Sequence, residues 1–268
     1  MLDAGQTLTA RRSDIILKPN TTFAMRGVGK RSAMIPMLPS TDWRNVRQYS
    51  LIDTHLNAHP NLHLTSFEFD PDGILVGGRR YPIVSMEWID GPTLDLYVEQ
   101  ILADKPALTH LADEWLKVIG SLRETQAAHG DLQHGNLIIQ NSQFRLIDLV
   151  GMFVPAMQGL NSNEIGHPHY QHPLRSFKDF NLGLDNFSSL VIYLSLLALA
   201  EAPELWRDFH DENLIFAKPD FVNLDSFIKA RCKVEKDGTT DSAIGGSVEP
   251  RCQSQTGGRT LSARSCDS

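Results

Sequence analysis

Two kinds of spacing divide the chain. Residues Leu62-His63-Leu64-Thr65-Ser66-Phe67-Glu68-Phe69 alternate apolar and polar, as a half-buried strand does. Asp70-Pro71-Asp72-Gly73 then reads as a turn, Ile74-Leu75-Val76 as a short strand, Gly77-Gly78 as a second turn and Tyr81 to Ile89 as a third strand. From Leu94 onward the spacing is mainly helical. Leu111 to Ala127 repeats apolar residues three and four apart, and Phe187 to Ala200 is apolar almost throughout. A helix is also expected from Asp42 to Ala58. Two extended pieces interrupt the helical part, Asn136-Leu137-Ile138-Ile139 and Phe144-Arg145-Leu146-Ile147-Asp148, with Asn141-Ser142 as the turn between them. The outline is a strand-rich lobe, a connecting strand and a helical lobe that carries a small hairpin.

Composition narrows the function classes. The 268 residues are 41% hydrophobic and 21% charged, which fits one large globular domain or two small ones. A formal charge of -7, with no basic run, argues against a sequence-independent grip on nucleic acid. The segment from Phe187 to Ala200 is shorter than the roughly 20 residues that cross a bilayer, and four hydroxyl-bearing residues interrupt it, so a buried helix is expected and no membrane partner. Nothing near Met1 reads as a secretory signal. Cys232, Cys252 and Cys266 are odd in number and lack metal-ligand spacing, so a cytoplasmic protein without disulfides is expected. All 12 Phe, 5 Tyr, 4 Trp and 10 His precede Arg231. Residues 231–268 therefore read as a disordered tail, with a shifted reading frame as the alternative.

The chemistry concentrates between His129 and Gly151. The run His129-Gly130-Asp131-Leu132-Gln133-His134-Gly135-Asn136 leads into the hairpin and Leu146-Ile147-Asp148-Leu149-Val150-Gly151 closes it, so the hairpin would bring Asp131, Asn136 and Asp148 to one edge. Phosphoryl transfer needs such a set: a carboxylate for the acceptor hydroxyl and oxygen ligands for a divalent cation. Taken singly, His129 is better read as a buried structural histidine and each Asp as a turn residue. As a set they resemble the catalytic and metal-binding loops of the protein kinase-like fold. The resemblance extends from Tyr81 to about Phe221 and is most specific to a bacterial kinase-domain group with the motifs H-G-D-L-Q-H-G-N, G-M-[FY]-V-P and G-H-P-x-Y-Q-H-P, the last at Gly166 to Pro173.

That resemblance implies an α+β, bilobal fold with a small, truncated or diverged β-rich N-lobe over 1–86, a hinge at 87–92, a helical catalytic C-lobe over 93–230 and the tail at 231–268. It implies ATP and Mg²⁺ as cofactors, Asp131 as the catalytic carboxylate, Asn136 and Asp148 as metal ligands, and backbone groups of Glu87 and Ile89 on the adenine edge with Met86 behind the base. Asp185 matches the residue that braces the catalytic loop, and Gly166 to Pro173 the activation-segment anchor, read as a rigid docking loop. The implied activity is ATP/Mg-dependent transfer to a protein hydroxyl.

The departures are specific. Val150 stands where the group usually has a second Asp, and Gln133 where many Ser/Thr kinases have a Lys that touches the transferred phosphate. In the N-terminal region either Phe23-Ala24-Met25-Arg26 is the clamp strand, with Arg26 for Lys, or Gly27-Val28-Gly29-Lys30-Arg31-Ser32 covers the phosphates. No Lys follows the latter before Lys105, and 42–58 offers no Glu as a clamp partner. These departures leave two alternatives: a pseudokinase or nucleotide-binding scaffold, and a small-molecule kinase of the aminoglycoside or choline type, whose catalytic loop also opens His-Gly-Asp.

Overall fold

Strand pairing organises the N-terminal part and helix packing the rest. The computed structural model describes residues 13–17, 23–27, 32–36, 43–76 and 78–222. Strands β1 (Ser13–Leu17) and β2 (Phe23–Gly27) form an antiparallel hairpin. Strand β3 (Ser32–Pro36) precedes helix α1 (Trp43–Ala58) and pairs with β5 (Arg79–Glu87), which also pairs with β4 (Phe67–Val76), giving a sheet of order β3-β5-β4. After an extended stretch at 88–92 come α2 (Leu94–Ile101) and α3 (Lys105–Glu124), the hairpin of β6 (Leu137–Gln140) and β7 (Gln143–Leu146), α4 (Asn186–Glu201) and the short α5 (Lys218–Val222). The layout is α+β, a strand-rich N-terminal part followed by a mainly helical part that carries a small hairpin, as expected. The expected tail at 231–268 lies outside the described residues.

Both expected hairpin turns form. The β4–β5 connection is two residues long and Gly78 takes φ +80°, while Asn141 and Ser142 take φ of 51° and 61° between β6 and β7. Positive φ at the loop matches the twist of a tight antiparallel pair. The Asp70–Gly73 turn does not form. The Asp70 carboxylate instead accepts the Asp72 N–H at 2.9 Å, and the residues are absorbed as a register shift within β4, which runs on to Val76. A side chain at position 73 would collide with Ile83 of the partner strand, which is why the bulge carries glycine.

The alternation from Leu62 to Ser66 is not strand β4 either. This segment crosses to the helical part: Leu146 donates to His63 C=O at 2.7 Å, and Thr65 donates to Leu146 C=O at 2.9 Å. Its buried residues, Leu64 and Thr65, face that junction.

Helices α3 and α4 carry the core of the C-terminal part. Trp115, fully buried on α3, packs on Phe144 of β7 and donates its indole N–H to Ser189 C=O at 3.0 Å. The serines of α4 sit inside the core because their hydroxyls bond back along the helix, Ser195 to Val191 C=O at 2.8 Å and Ser188 to Asp185 C=O at 3.2 Å. Among the described residues no helix is long and apolar enough to cross a membrane.

Candidate active site

The loop from Ala128 to Asn136 is pinned from several sides. Ala128 exchanges backbone hydrogen bonds with Phe153, at 3.0 and 2.9 Å. Beneath the loop, the buried Asp185 accepts the Gly130 N–H at 2.8 Å and the His129 N–H on its other oxygen. Burial pushes the Asp185 carboxyl above its ordinary range, with His129 and the two N–H groups pulling the other way. Gly130 takes φ +86°, and a Cβ there would strike Gly151 C=O. His129 accepts the Asp131 N–H on Nδ1 at 3.3 Å and meets Ile147 C=O through Nε2 at 2.9 Å, which sets the Nε2–H tautomer and ties the loop to the residue before Asp148.

Asp131 and Asn136 are in contact. The Asn136 amide donates to Asp131 C=O at 2.9 Å and to its carboxylate at 3.2 Å, and Gln133 donates to the same oxygen at 3.3 Å. The other carboxylate oxygen accepts the His167 N–H at 2.6 Å. Gly166, at φ +81°, makes that approach possible: a Cβ on it would lie 2.7 Å from the Asp131 oxygen.

Asp148 completes the group. It takes a left-handed backbone, φ 61° and ψ 62°, immediately before a single 3-10 turn at Leu149–Gly151. An aspartate held there is locally strained, and such strain concentrates at functional positions. The residue is solvent-exposed, with its carboxylate among neighbouring protein groups. Lost hydration raises its pKa most; His129 lowers it, and the charge of Asp131 raises it further.

Sequence reasoning missed Glu164, Gln48 and Arg175. The Glu164 carboxylate lies against Gly151, in space a Cβ there would fill. Its pKa is pushed up to about 7, by burial first and then by Asp148 and Asp131. The Tyr49 hydroxyl is pushed up to about 12, by burial and then by Glu164 and Asp148. Next to Tyr49 on α1, the buried Gln48 donates to Asn161 C=O at 3.2 Å and accepts from the Asn163 amide, so it anchors the loop that carries Glu164. Arg175 donates to Gly130 C=O at 2.9 Å and to the Gln171 side chain. No local motif marks these residues, because contacts between distant segments bring them in.

At the connecting stretch, Met86 and Ile89 are buried. The Glu87 backbone is already engaged: its N–H donates to Ser66 Oγ at 3.1 Å and its C=O accepts from Thr65 Oγ1 at 2.9 Å, while its carboxylate pairs with Arg145 at 3.2 Å. Arg26 lies on β2, paired with Asp14 of β1, whereas the strand that precedes α1 is β3. The alternative phosphate-covering segment falls largely at 28–31, outside the described residues.

The donor set suits magnesium. Asp148 and the Asn136 amide offer oxygens only, and the crowded negative charge around Asp148 is what a divalent cation would offset. No cluster of three or more His, Cys, Asp or Glu able to hold a metal occurs among the described residues. A small ligand set of this kind matches a cation that takes its remaining oxygens from phosphates and water.

No protein-family model matches the chain, and no curated protein matches it in sequence. Among solved structures the chain is similar to the kinase PK-1 of the Cydia pomonella granulovirus, with 15% identity, 69% of this chain and 68% of that chain covered, and a TM-score of 0.48.

Proposed function

We propose that this protein is an ATP/Mg-dependent phosphotransferase of the protein kinase-like superfamily, working in the cytoplasm on a protein hydroxyl. The observation that carries the reading is the Asp131–Asn136 contact together with a left-handed Asp148, on a loop braced by the buried Asp185. Lobe boundaries at 86 and 92 and a catalytic part ending near 230 go with it. In this reading Asp131 orients the acceptor hydroxyl and takes its proton as the acceptor oxygen bonds to the γ-phosphorus and the bond to the bridging oxygen of ADP breaks. Asn136 and Asp148 hold the cation, which neutralises phosphate charge when bound. Backbone groups of Glu87 and Ile89 serve the adenine edge.

A second reading, a nucleotide-binding scaffold without efficient transfer, is favoured by one observation. Both Asp131 oxygens already accept hydrogen bonds, one from His167 and the other from Gln133 and Asn136. An acceptor hydroxyl is left with the remaining lone pair of the oxygen that accepts from His167.

Incubation with labelled ATP and Mg²⁺ separates the readings. Transfer is expected, with Asp131→Asn lowering it by about two orders of magnitude or more while nucleotide affinity stays near that of the parent. Asp148→Ala should lose Mg²⁺-dependent nucleotide binding, and lose more of it than Asn136→Ala, because a carboxylate brings a full charge to the metal. Nucleotide binding without any transfer supports the scaffold. Equal affinity of Asp148→Ala and the parent, with and without metal, removes both roles of the loop. A panel of aminoglycosides and choline tests the small-molecule alternative.

A further inference from the structure

One short turn holds the residues between Asp131 and Asn136 at two points. His167 leads into the 3-10 turn Pro168–Tyr170, and the Tyr170 N–H donates to His167 C=O at 3.0 Å. At one end the His167 N–H donates to the Asp131 carboxylate at 2.6 Å. At the other the Tyr170 hydroxyl meets His134 Nδ1, also at 2.6 Å. The two contacts join 167 to 131 and 170 to 134, so their spacing along the chain is the same on both partners.

His134 is committed to this contact. Its Nε2 meets Asp211 C=O at 3.1 Å. A carbonyl only accepts, so in the neutral ring the proton is on Nε2, Nδ1 is the acceptor and the Tyr170 hydroxyl donates to it. The ring lies tilted against Tyr170 and edge-on to Phe209, at centroid separations of 5.7 and 6.2 Å. His134 is 5% and Tyr170 1% exposed, and both ring nitrogens of His134 are engaged, so no substrate atom reaches this histidine.

It can act through the turn that it opens. His134–Asn136 is a 3-10 turn closed by the Leu137 N–H on His134 C=O, and from its far end the Asn136 amide reaches Asp131. Gln133 donates back to Asp131 and Gly135 has no side chain, so the side-chain tie from this turn to other segments falls to His134. We propose that His134 is a positioning residue of the transfer site: through Tyr170 it makes the Asp131–Asn136 arrangement depend on the seating of residues 166–173. With the phenol seated, the turn is fixed and the amide stays aimed at Asp131. Without it the turn loses that tie. The effect on rate rests on the phosphotransferase reading, whereas the coupling between the two turns does not.

Nitrogen–proton NMR of the Asn136 side-chain amide in the full chain reads the coupling without any activity. Tyr170→Phe deletes one hydroxyl. His134→Gln keeps an N–H for Asp211 C=O and loses the acceptor for Tyr170, while His134→Asn places an oxygen where Nδ1 was and loses the Asp211 bond. Tyr170→Phe and His134→Gln should shift the Asn136 amide resonances alike, and His134→Asn should return them toward the parent. In turnover of labelled ATP with Mg²⁺, the first two should lower kcat about tenfold with the KM for ATP within about twofold, and His134→Asn should recover most of that loss. A residue that only stabilises the fold would lower the unfolding midpoint without this order in kcat. Unshifted Asn136 signals in folded Tyr170→Phe overturn the coupling, and shifted signals with an unchanged kcat overturn the positioning role. If His134→Gln fails to fold, Tyr170→Phe and His134→Asn still decide it. A parent that turns over no ATP removes the phosphotransferase reading instead, and the Asn136 resonances still settle whether the turns are coupled.

Discussion

Asp148 occupies a backbone conformation that glycine adopts without strain, so the side chain is there for something other than stability. A left-handed non-glycine residue costs on the order of 1 kcal/mol, and this carboxylate is also crowded by Asp131. Asp148→Gly is therefore expected to leave the protein as stable or up to about 1 kcal/mol more stable in urea unfolding, while Mg²⁺-dependent nucleotide affinity is lost. A clear loss of stability would mean that the carboxylate holds the fold together. Glu164 makes a pH prediction of definite sign. Its folded pKa, about 7, lies above the ordinary 4.5, so the folded state binds the proton more tightly. The stability this confers is complete below about 4.5 and is lost as pH rises through about 7. Thermal unfolding midpoints compared between pH 5 and 8 should show the parent falling relative to Glu164→Gln; parallel curves refute the assignment. Asp131, Asn136 and Asp148 were legible in the sequence because one loop and one hairpin bring them together. Glu164, Gln48 and Arg175 were not, since each is placed by a partner far along the chain.

Elements were legible where their signal was local. Asn141-Ser142 and Gly77-Gly78 announced their hairpins, since the backbone at a two-residue loop needs residues tolerant of positive φ. Asp70-Pro71-Asp72-Gly73 has turn chemistry too, yet pairing with β5 on both sides kept the strand continuous and left the turn as a bulge. Leu62 to Ser66 alternates because one side faces the lobe junction, and alternation alone does not say which partner strand is meant. The contact of α3 with α4 follows from apolar spacing, but the link from Trp115 to Ser189 does not. Trp115→Ala should cost about 3–5 kcal/mol, as large deletions in a packed core do. Trp115→Phe should cost less, and guanidinium unfolding of both variants ranks the cavity against the lost hydrogen bond.

At the level of the whole molecule, the catalytic part is proposed to end near residue 230. Deleting 231–268 should then change stability by less than about 0.5 kcal/mol, read as an unchanged unfolding midpoint. Early melting or aggregation of the shortened protein would move the boundary. The junction between the strand-rich and helical parts has a mechanical consequence. Leu146 is bonded to both His63 and Thr65, and the Thr65 hydroxyl reaches Glu87 C=O, so the two parts are stitched together along one line at the root of the connecting stretch. Movement between them is then a swing about that line, like a book opening on its spine. Asp148 follows Leu146 by two positions and Ile89 follows Glu87 by two, so both sit beside the axis and travel little. Asp131, Asn136 and Asp148 all lie on the helical side of that line, so a swing about it would leave their mutual arrangement in place.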